Sequence, residues 1–422
     1  MYKDKFVVMG GRRLKGTVRV SGAKNAVLPI MAACILGQKE IIIHDVPDIS
    51  DVREMEKMLQ TLGAKLTREG NVLIIDPSNI QPQEISENLV RKIRASSLVM
   101  GPMLGKFGWI KVAYPGGCNI GSRPVDFHLK GFQQLHAVVE EKHGFIEAGG
   151  ANLQGETIYL DFPSVGATEN LMMAACLIPG ITRIRNAARE PEIVDLQNFL
   201  NGMGANIKGA GTDTIKVTGV KNLGSVEHKL IPDRIEAGTH MIAVALTCGD
   251  VLIENVIAEH LVPLISKLKE IGCEIIELDN RIRVIGKPVK GTDIRTLPYP
   301  GFPTDLQPQM MVLLCVADGT SIVVENIFEN RFKHASELRR LGADIKIEGR
   351  IAVVKGVKRL TGAFVEATDL RAASSLVLAG LVSEEATVVE NIHHLDRGYE
   401  GFEKKYNELG ARIIRISNSL SS

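Results

Sequence analysis

The chain repeats itself, and the period limits what it can fold into more than any other feature. Near-copies of one helix ending recur at Leu62-Gly63-Ala64, Met203-Gly204-Ala205, Ile271-Gly272-Cys273, Leu341-Gly342-Ala343 and Leu409-Gly410-Ala411, with a weaker copy at Leu135-His136-Ala137. Successive copies lie 68 to 73 residues apart. Each Gly follows an amphipathic stretch, as a left-handed helix cap should. In the first copy Val52, Met55, Met58, Leu59 and Leu62 fall on one helical face.

Around this anchor a whole unit can be read. A helix of small and apolar residues comes first, as in AVLPIMAACIL or PQMMVLLCVA, then a strand such as EIIIHDV or SIVVENI. The amphipathic helix and its Gly follow, and then a hairpin such as ADIKIEGRIAVVKG, which alternates about a Gly-containing turn. The first helix is apolar nearly all round, so it is predicted to be buried beneath sheets. The class is α/β, with six copies of one unit. The sixth hairpin, ARIIRIS, supplies a single strand, and KFVVMGG at the N-terminus is a candidate for the missing one. Residues 1–21 are therefore expected to complete the C-terminal half. Six units divide as three plus three: residues 22–230, and residues 231–422 with 1–21. Two chain crossings near 21 and 230 would form a hinge, with the ligand site expected in the cleft between the domains.

Composition narrows the function. Hydrophobic residues at 45% and charged residues at 23% fit a globular protein with sizeable cores, and a net charge of +1 gives no reason to expect nucleic acid or an acidic membrane as partner. No apolar run reaches the length of a membrane span, and the N-terminus lacks a signal-peptide core. The six cysteines show neither CxxC nor Cys/His ligand spacing, so no metal is expected and the compartment reads as cytoplasmic and reducing.

Repeats also allow comparison within one sequence. Where each buried helix begins, the unit needs only a cap, yet the chain carries Lys24-Asn25, Arg94, Ser164-Val165-Gly166, Asp233-Arg234, Asp305 and Asp369 with Arg371. Where the amphipathic helices begin it carries Arg123, Arg189-Glu190, Glu329 with Arg331, and Asp396-Arg397. Acids at a helix N-terminus read as caps. Arg and Lys oppose the dipole there, and with the free N–H groups they would make an anion site. The competing reading is a set of salt bridges between repeats. Cys34, Cys176, Cys248 and Cys315 fall in or at the end of buried helices, and Cys273 replaces the Ala of a helix ending. Cys118 alone lies in a Gly/Pro loop, near Arg123, where a cation would lower a thiol's pKa. Phosphate-binding loops and hydrolase elbows are lacking, and His393-His394, read as neighbours on a strand, would point to opposite faces.

The segments SGAKNAVLPI, PGGCNIGSRPVDFH, NAAREPEIVD, FPTDLQPQ, IFENRF and DLRAAS with DRGYEGF resemble, over essentially the whole chain, the UDP-N-acetylglucosamine 1-carboxyvinyltransferases of the enolpyruvyl transferase family. The resemblance implies a two-domain inside-out α/β barrel of six βαβαββ repeats, three per domain. It implies transfer of the enolpyruvyl group of phosphoenolpyruvate to the 3-hydroxyl of UDP-N-acetylglucosamine, without a cofactor, metal or obligatory protein partner. By resemblance, Cys118 is the proton donor and the target of fosfomycin, and Asp305 is the base or orients the hydroxyl. Lys24, Asn25, Arg123 and Arg397 bind phosphoenolpyruvate. Arg94, Arg123, Pro124, Val125, Asp126, Phe127, Ser164, Val165, Gly166, Asp305 and Ile327 bind the nucleotide sugar, with Asn25 facing its amino-sugar portion. Arg331, Asp369 and Arg371 are further cleft residues. Phe162-Pro163 departs from the family pattern, where Lys is usual, and puts a direct phosphate contact at position 162 in doubt. The alternatives are the shikimate-pathway enolpyruvyl transferase and a non-catalytic nucleotide-sugar-binding protein on the same scaffold. Lys24→Ala and Arg397→Ala should each abolish or severely reduce turnover and leave thermal stability nearly unchanged.

Overall fold

The computed structural model describes residues 4–85, 87–90, 94–114 and 125–417. They form two compact units, one of residues 4–21 and 232–417, the other of residues 22–114 and 125–231. Each unit holds three four-stranded sheets built to one plan. An edge strand runs parallel to the strand that follows the buried helix, which pairs antiparallel with the second hairpin strand, and the first hairpin strand closes the other edge. Thus Glu227–Lys229 lies parallel to Ile41–His44, which pairs with Val72–Asp76 and through it with Lys65–Glu69. In the last sheet the second hairpin strand is Lys5–Met9, which pairs antiparallel with both Thr387–Glu390 and Arg412–Ile416. Phe6 and Val8 of this strand are fully buried, so its apolar alternation matches the core face.

The helices predicted to be buried are Lys24–Ala33, Met100–Phe107 and Val165–Ala175 in one unit, and Arg234–Leu246, Gln307–Cys315 and Leu370–Leu381 in the other. In Gln307–Cys315 every residue is buried. Each Leu or Met so enclosed contributes about 1.5–3 kcal/mol. The latter three helices pack on one another as the centre of their unit, with sheets outside. This is the inside-out α/β barrel. No helix among the described residues is long and apolar enough to cross a membrane.

The helix ending that defines the repeat has one geometry in all six copies. Gly63, Gly204, Gly272, Gly342 and Gly410 take φ between +88° and +111°. The following residue donates its N–H to a carbonyl five residues back, as in Ala64 to Leu59 at 2.9 Å and Ala343 to Leu338 at 3.1 Å. The weak copy obeys the same rule. His136 takes φ +66°, and Ala137 donates to Phe132 at 3.0 Å. A side chain in that conformation costs roughly 1–2 kcal/mol, which the packed helix tolerates.

Candidate functional site

In the unit of residues 4–21 and 232–417 the candidates gather around one carboxylate. Asp305 lies in the 3-10 turn Thr304–Leu306 that leads into the helix Gln307–Cys315. Its Oδ1 accepts from Arg331 Nη2 at 3.0 Å and its Oδ2 from Arg371 Nη2 at 2.9 Å. Both arginines are buried, at 3% and 4% exposure, whereas the Asp305 side chain keeps 24% of its surface open. Burial alone would lower the pKa of Arg371. Asp305, Tyr399 and Asp233 more than offset it, so the guanidinium is held well above its ordinary range. Arg371 also lies over the Tyr399 ring, and Arg331 over the Phe328 ring. His334 Nδ1 lies 3.1 Å from the Arg331 carbonyl and holds that backbone. Burial pushes His334 down to about 4, so it is neutral at pH 7. The Arg331 Nε is buried and has no hydrogen-bond partner among the described residues.

Asp369 does something different. Its Oδ1 accepts from the backbone N–H of Arg371 at 3.0 Å and of Ala372 at 3.1 Å, which caps the helix Leu370–Leu381. Asp233 caps Arg234–Leu246 in the same way, through Ile235 and Glu236. Ile327 is half-buried in the segment after the strand Thr320–Val324, and its N–H is held by Glu325 Oε1 at 2.9 Å. Arg397 is half-buried in a turn.

Two expectations change here. Arg331 and Arg397 do not stand at helix N-termini, because turns separate them from His334–Arg340 and Phe402–Glu408. The dipole argument therefore does not apply to them. His393 and His394 are not on a strand. They end the 3-10 turn Ile392–His394, with ring centroids 4.1 Å apart, because the tight turn brings neighbouring side chains side by side.

In the unit of residues 22–231, Lys24 and Asn25 begin the helix Lys24–Ala33. The Lys24 ammonium lies 2.8 Å from Asp51 Oδ2, with both side chains buried. Asp51 belongs to the first turn of Ser50–Thr61, and the sequence reading did not single it out. A buried cation at a helix start thus has a buried counter-ion, and removing Lys24 would take that cation from the Asp51 carboxylate. The expectation that Lys24→Ala leaves stability unchanged is corrected accordingly.

Ser164 caps Val165–Ala175, its Oγ accepting from Ala167 N at 3.4 Å. Gly166 lies against His128, where an added Cβ would meet the ring at 3.4 Å. Val125 precedes Asp126–Gln134, which carries Asp126, Phe127 and His128. The structure therefore brings Val125–Phe127 and Ser164–Gly166 to neighbouring helix starts. Burial pushes His128 down to about 4, and its Nδ1 lies 3.0 Å from the Asn170 amide. Phe162 is 39% exposed just ahead of this helix start. Arg94 begins the 3-10 turn Arg94–Val99. Cys118, Arg123 and Pro124 lie outside the described residues.

Burial pushes the thiols of Cys176 and Cys315 up to about 12, and raises those of Cys34 and Cys273. Cys248 is not core as expected. It is half-buried and takes φ +47° just past its helix. No group of three or more His, Cys, Asp or Glu among the described residues could hold a metal ion.

Residues 8–406 match the family profile described as EPSP synthase (3-phosphoshikimate 1-carboxyvinyltransferase). The chain is 57% identical over 414 residues to UDP-N-acetylglucosamine 1-carboxyvinyltransferase 1 of Caldanaerobacter subterraneus subsp. tengcongensis, a match that covers 98% of this chain and 100% of that one. It is 56% identical over 415 residues to the protein of the same name from Carboxydothermus hydrogenoformans, covering 98% and 99%. Among solved structures it superposes on the enolpyruvyl transferase NikO from Streptomyces tendae with a TM-score of 0.89 at 25% identity, over 98% and 99% of the two chains. EPSP synthase from Acinetobacter baumannii shares the fold, with a TM-score of 0.75 at 16% identity over 98% and 100%.

Proposed function

Since the chain belongs to the enolpyruvyl transferases, among the UDP-N-acetylglucosamine 1-carboxyvinyltransferases, we propose that Asp305, fixed by Arg331 and Arg371, receives the 3-hydroxyl of UDP-N-acetylglucosamine. The enzyme transfers the enolpyruvyl group of phosphoenolpyruvate to that hydroxyl and releases phosphate, the first committed step of peptidoglycan synthesis. Protonation at C3 makes C2 of the donor electrophilic, and the sugar oxygen adds there. Loss of a proton from C3 and of phosphate from C2 then restores the vinyl group. Each proton transfer by a positioned group is worth roughly 10²–10⁴-fold.

The observation that carries the role of Asp305 is its clamp. Two buried guanidinium groups take one oxygen each and fix the plane of the carboxylate, while its open quarter faces outward. So held, the carboxylate orients the hydroxyl and takes its proton as the C–O bond forms. Lys24, Asn25, Arg123 and Arg397 are assigned to the phosphate and carboxylate of phosphoenolpyruvate. Arg94, Arg123 to Phe127, Ser164 to Gly166 and Ile327 are assigned to the nucleotide sugar. The start of Val165–Ala175 supports this assignment, because free N–H groups there suit a diphosphate. Cys118 is assigned as the acid that protonates C3. The setting is the cytoplasm, and the product feeds wall growth, cell shape and division.

Phosphate release from phosphoenolpyruvate tests the reaction. Release is expected with UDP-N-acetylglucosamine and not with shikimate 3-phosphate, and the reverse would overturn the acceptor. Fosfomycin tests Cys118. Peptide mapping is expected to find the adduct at Cys118, since burial raises the thiols of Cys34, Cys176, Cys273 and Cys315. Adducts spread over those residues would remove Cys118 from the mechanism.

A further inference from the structure

Glu325 is fully buried, yet its carboxylate is bound by dipoles alone in the contacts the structure gives. Its Oε1 accepts from Thr296 Oγ1 at 2.9 Å, from Ile327 N at 2.9 Å and from Phe328 N at 3.1 Å. Its Oε2 accepts from Thr304 Oγ1 at 3.0 Å. Thr304 immediately precedes Asp305, and its carbonyl accepts from Arg331 Nη2 at 3.3 Å, the same nitrogen that binds Asp305. One carboxylate therefore ties the Asp305 segment to the Ile327 segment.

The other repeats of this unit show that the arrangement is not a requirement of the fold. Glu254, Val324 and Glu390 hold equivalent places, each opposite the first residue of the neighbouring hairpin strand: Arg281, Ile351 and Lys5. In two repeats Asn comes next, at Asn255 and Asn391, with φ +59° and +60°. Asn255 sends its amide to the Val20 carbonyl at 2.8 Å, and Asn326 makes the same bond to Thr296 at 3.1 Å. Asn326 is thus the counterpart of Asn255, and Glu325 is one residue inserted before it. Side chains alternate along a strand, so the insertion turns Glu325 inward, whereas Glu254 and Glu390 stay half-exposed.

We propose that Glu325 is a positioning residue for the acceptor, holding Asp305 and the Ile327 segment at a fixed separation through Thr304 and the Ile327–Phe328 backbone. The inference rests on the assignment of Asp305 and Ile327 to UDP-N-acetylglucosamine. Burying a carboxylate without a cation is unfavourable unless its lone pairs are filled, and here four donors fill them.

The test separates the Thr304 hydroxyl from its shape. Thr304→Ser keeps the donor to Glu325, and Thr304→Val keeps the volume. Steady-state kinetics with both substrates and melting curves are measured for wild type and both variants. Thr304→Ser is expected within about twofold of wild type, whereas Thr304→Val loses about tenfold or more in kcat/KM for UDP-N-acetylglucosamine, the scale of a lost hydrogen bond to a charged group. KM for phosphoenolpyruvate should move by less than about twofold in both. A Thr304→Val enzyme with unchanged acceptor kinetics, whether or not its melting point falls, overturns the proposal, as does a Thr304→Ser enzyme impaired to the same degree. Wild type that releases no phosphate with this acceptor would defeat the reaction assignment itself. An active wild type with indifferent variants defeats only the positioning role.

Discussion

Asp369 and Asp305 occupy the same place in the repeat and carry the same side chain, but their surroundings divide them. Asp369 turns back on its own helix and satisfies two backbone N–H groups. Asp305 turns away and is gripped by two arginines from elsewhere in the unit. Asp233 follows the first pattern. Lys24, at the corresponding helix start of the other unit, follows a version of the second, paired with Asp51. A repeated fold thus supplies its own controls. Where the residue completes its helix it is a cap, and where it leaves the helix for a buried charge it has been recruited for something else.

The largest expected effect breaks the comparison at Asp305. Asparagine caps a helix about as well as aspartate, but it cannot serve as the anion between two guanidinium groups. Asp305→Asn should lower kcat by roughly 10²–10⁴-fold, whereas Asp369→Asn should melt within about 1 °C of wild type. If Asp305→Asn turned over phosphoenolpyruvate at the wild-type rate, the clamp would be structural only.

Next in size is Lys24. Lys24→Ala should cost about 3–5 kcal/mol of stability in chemical denaturation because it removes the cation that faces the buried Asp51 carboxylate. Lys24→Ala/Asp51→Asn should recover much of that loss without recovering turnover. A double variant no more stable than the single one would mean that the pair is not what holds this helix start.

A third measurement concerns His128, which lies against the helix start at Gly166. Burial depresses its pKa to about 4, below its ordinary 6.5. As pH falls, the unfolded chain binds the proton first, so the folded state has its full stability above about pH 6.5 and loses it progressively down to about pH 4. The melting temperature should therefore fall from pH 7 to pH 5, and His128→Asn should flatten the slope. An unchanged slope would place the acid sensitivity elsewhere.

The smallest effect tests the caps. Asp233→Ala and Asp369→Ala should each lose about 1 kcal/mol, or roughly 2–4 °C in a unit of this size.

The repeat made much of the architecture legible. Helix endings, hairpins and the N-terminal strand follow from period and alternation, which are local and survive sixfold copying. Even His136 obeyed, because the backbone geometry of that ending is set by helix packing, not by glycine alone. Partner choice was not legible. Nothing in the sequence joins Asp305 to Arg331 and Arg371, 26 and 66 residues away, or Lys24 to Asp51. Arg331 looked like a helix-start cation because Phe332 and Lys333 carry no breaker, whereas Gly398 and Gly401 after Arg397 mark the turn that the helix reading passed over. Glu325 was not legible either, because SIVVENI aligns residue for residue with ATVVENI, and only the pairing register sets Val324 opposite Ile351 where Glu390 lies opposite Lys5.

The strand Lys5–Met9 has a consequence for the order in which the protein is made. It precedes its two neighbours, Thr387–Glu390 and Arg412–Ile416, by more than 370 residues. The unit of residues 22–231 can close on itself while synthesis is still under way. The other unit must leave Phe6 and Val8 unsheltered until those two neighbours have been translated. At about 5–20 residues per second, that wait lasts roughly 20–80 seconds. Until then an apolar strand has no sheet to join, and its burial is set by the last strands made, not by its own position in the sequence.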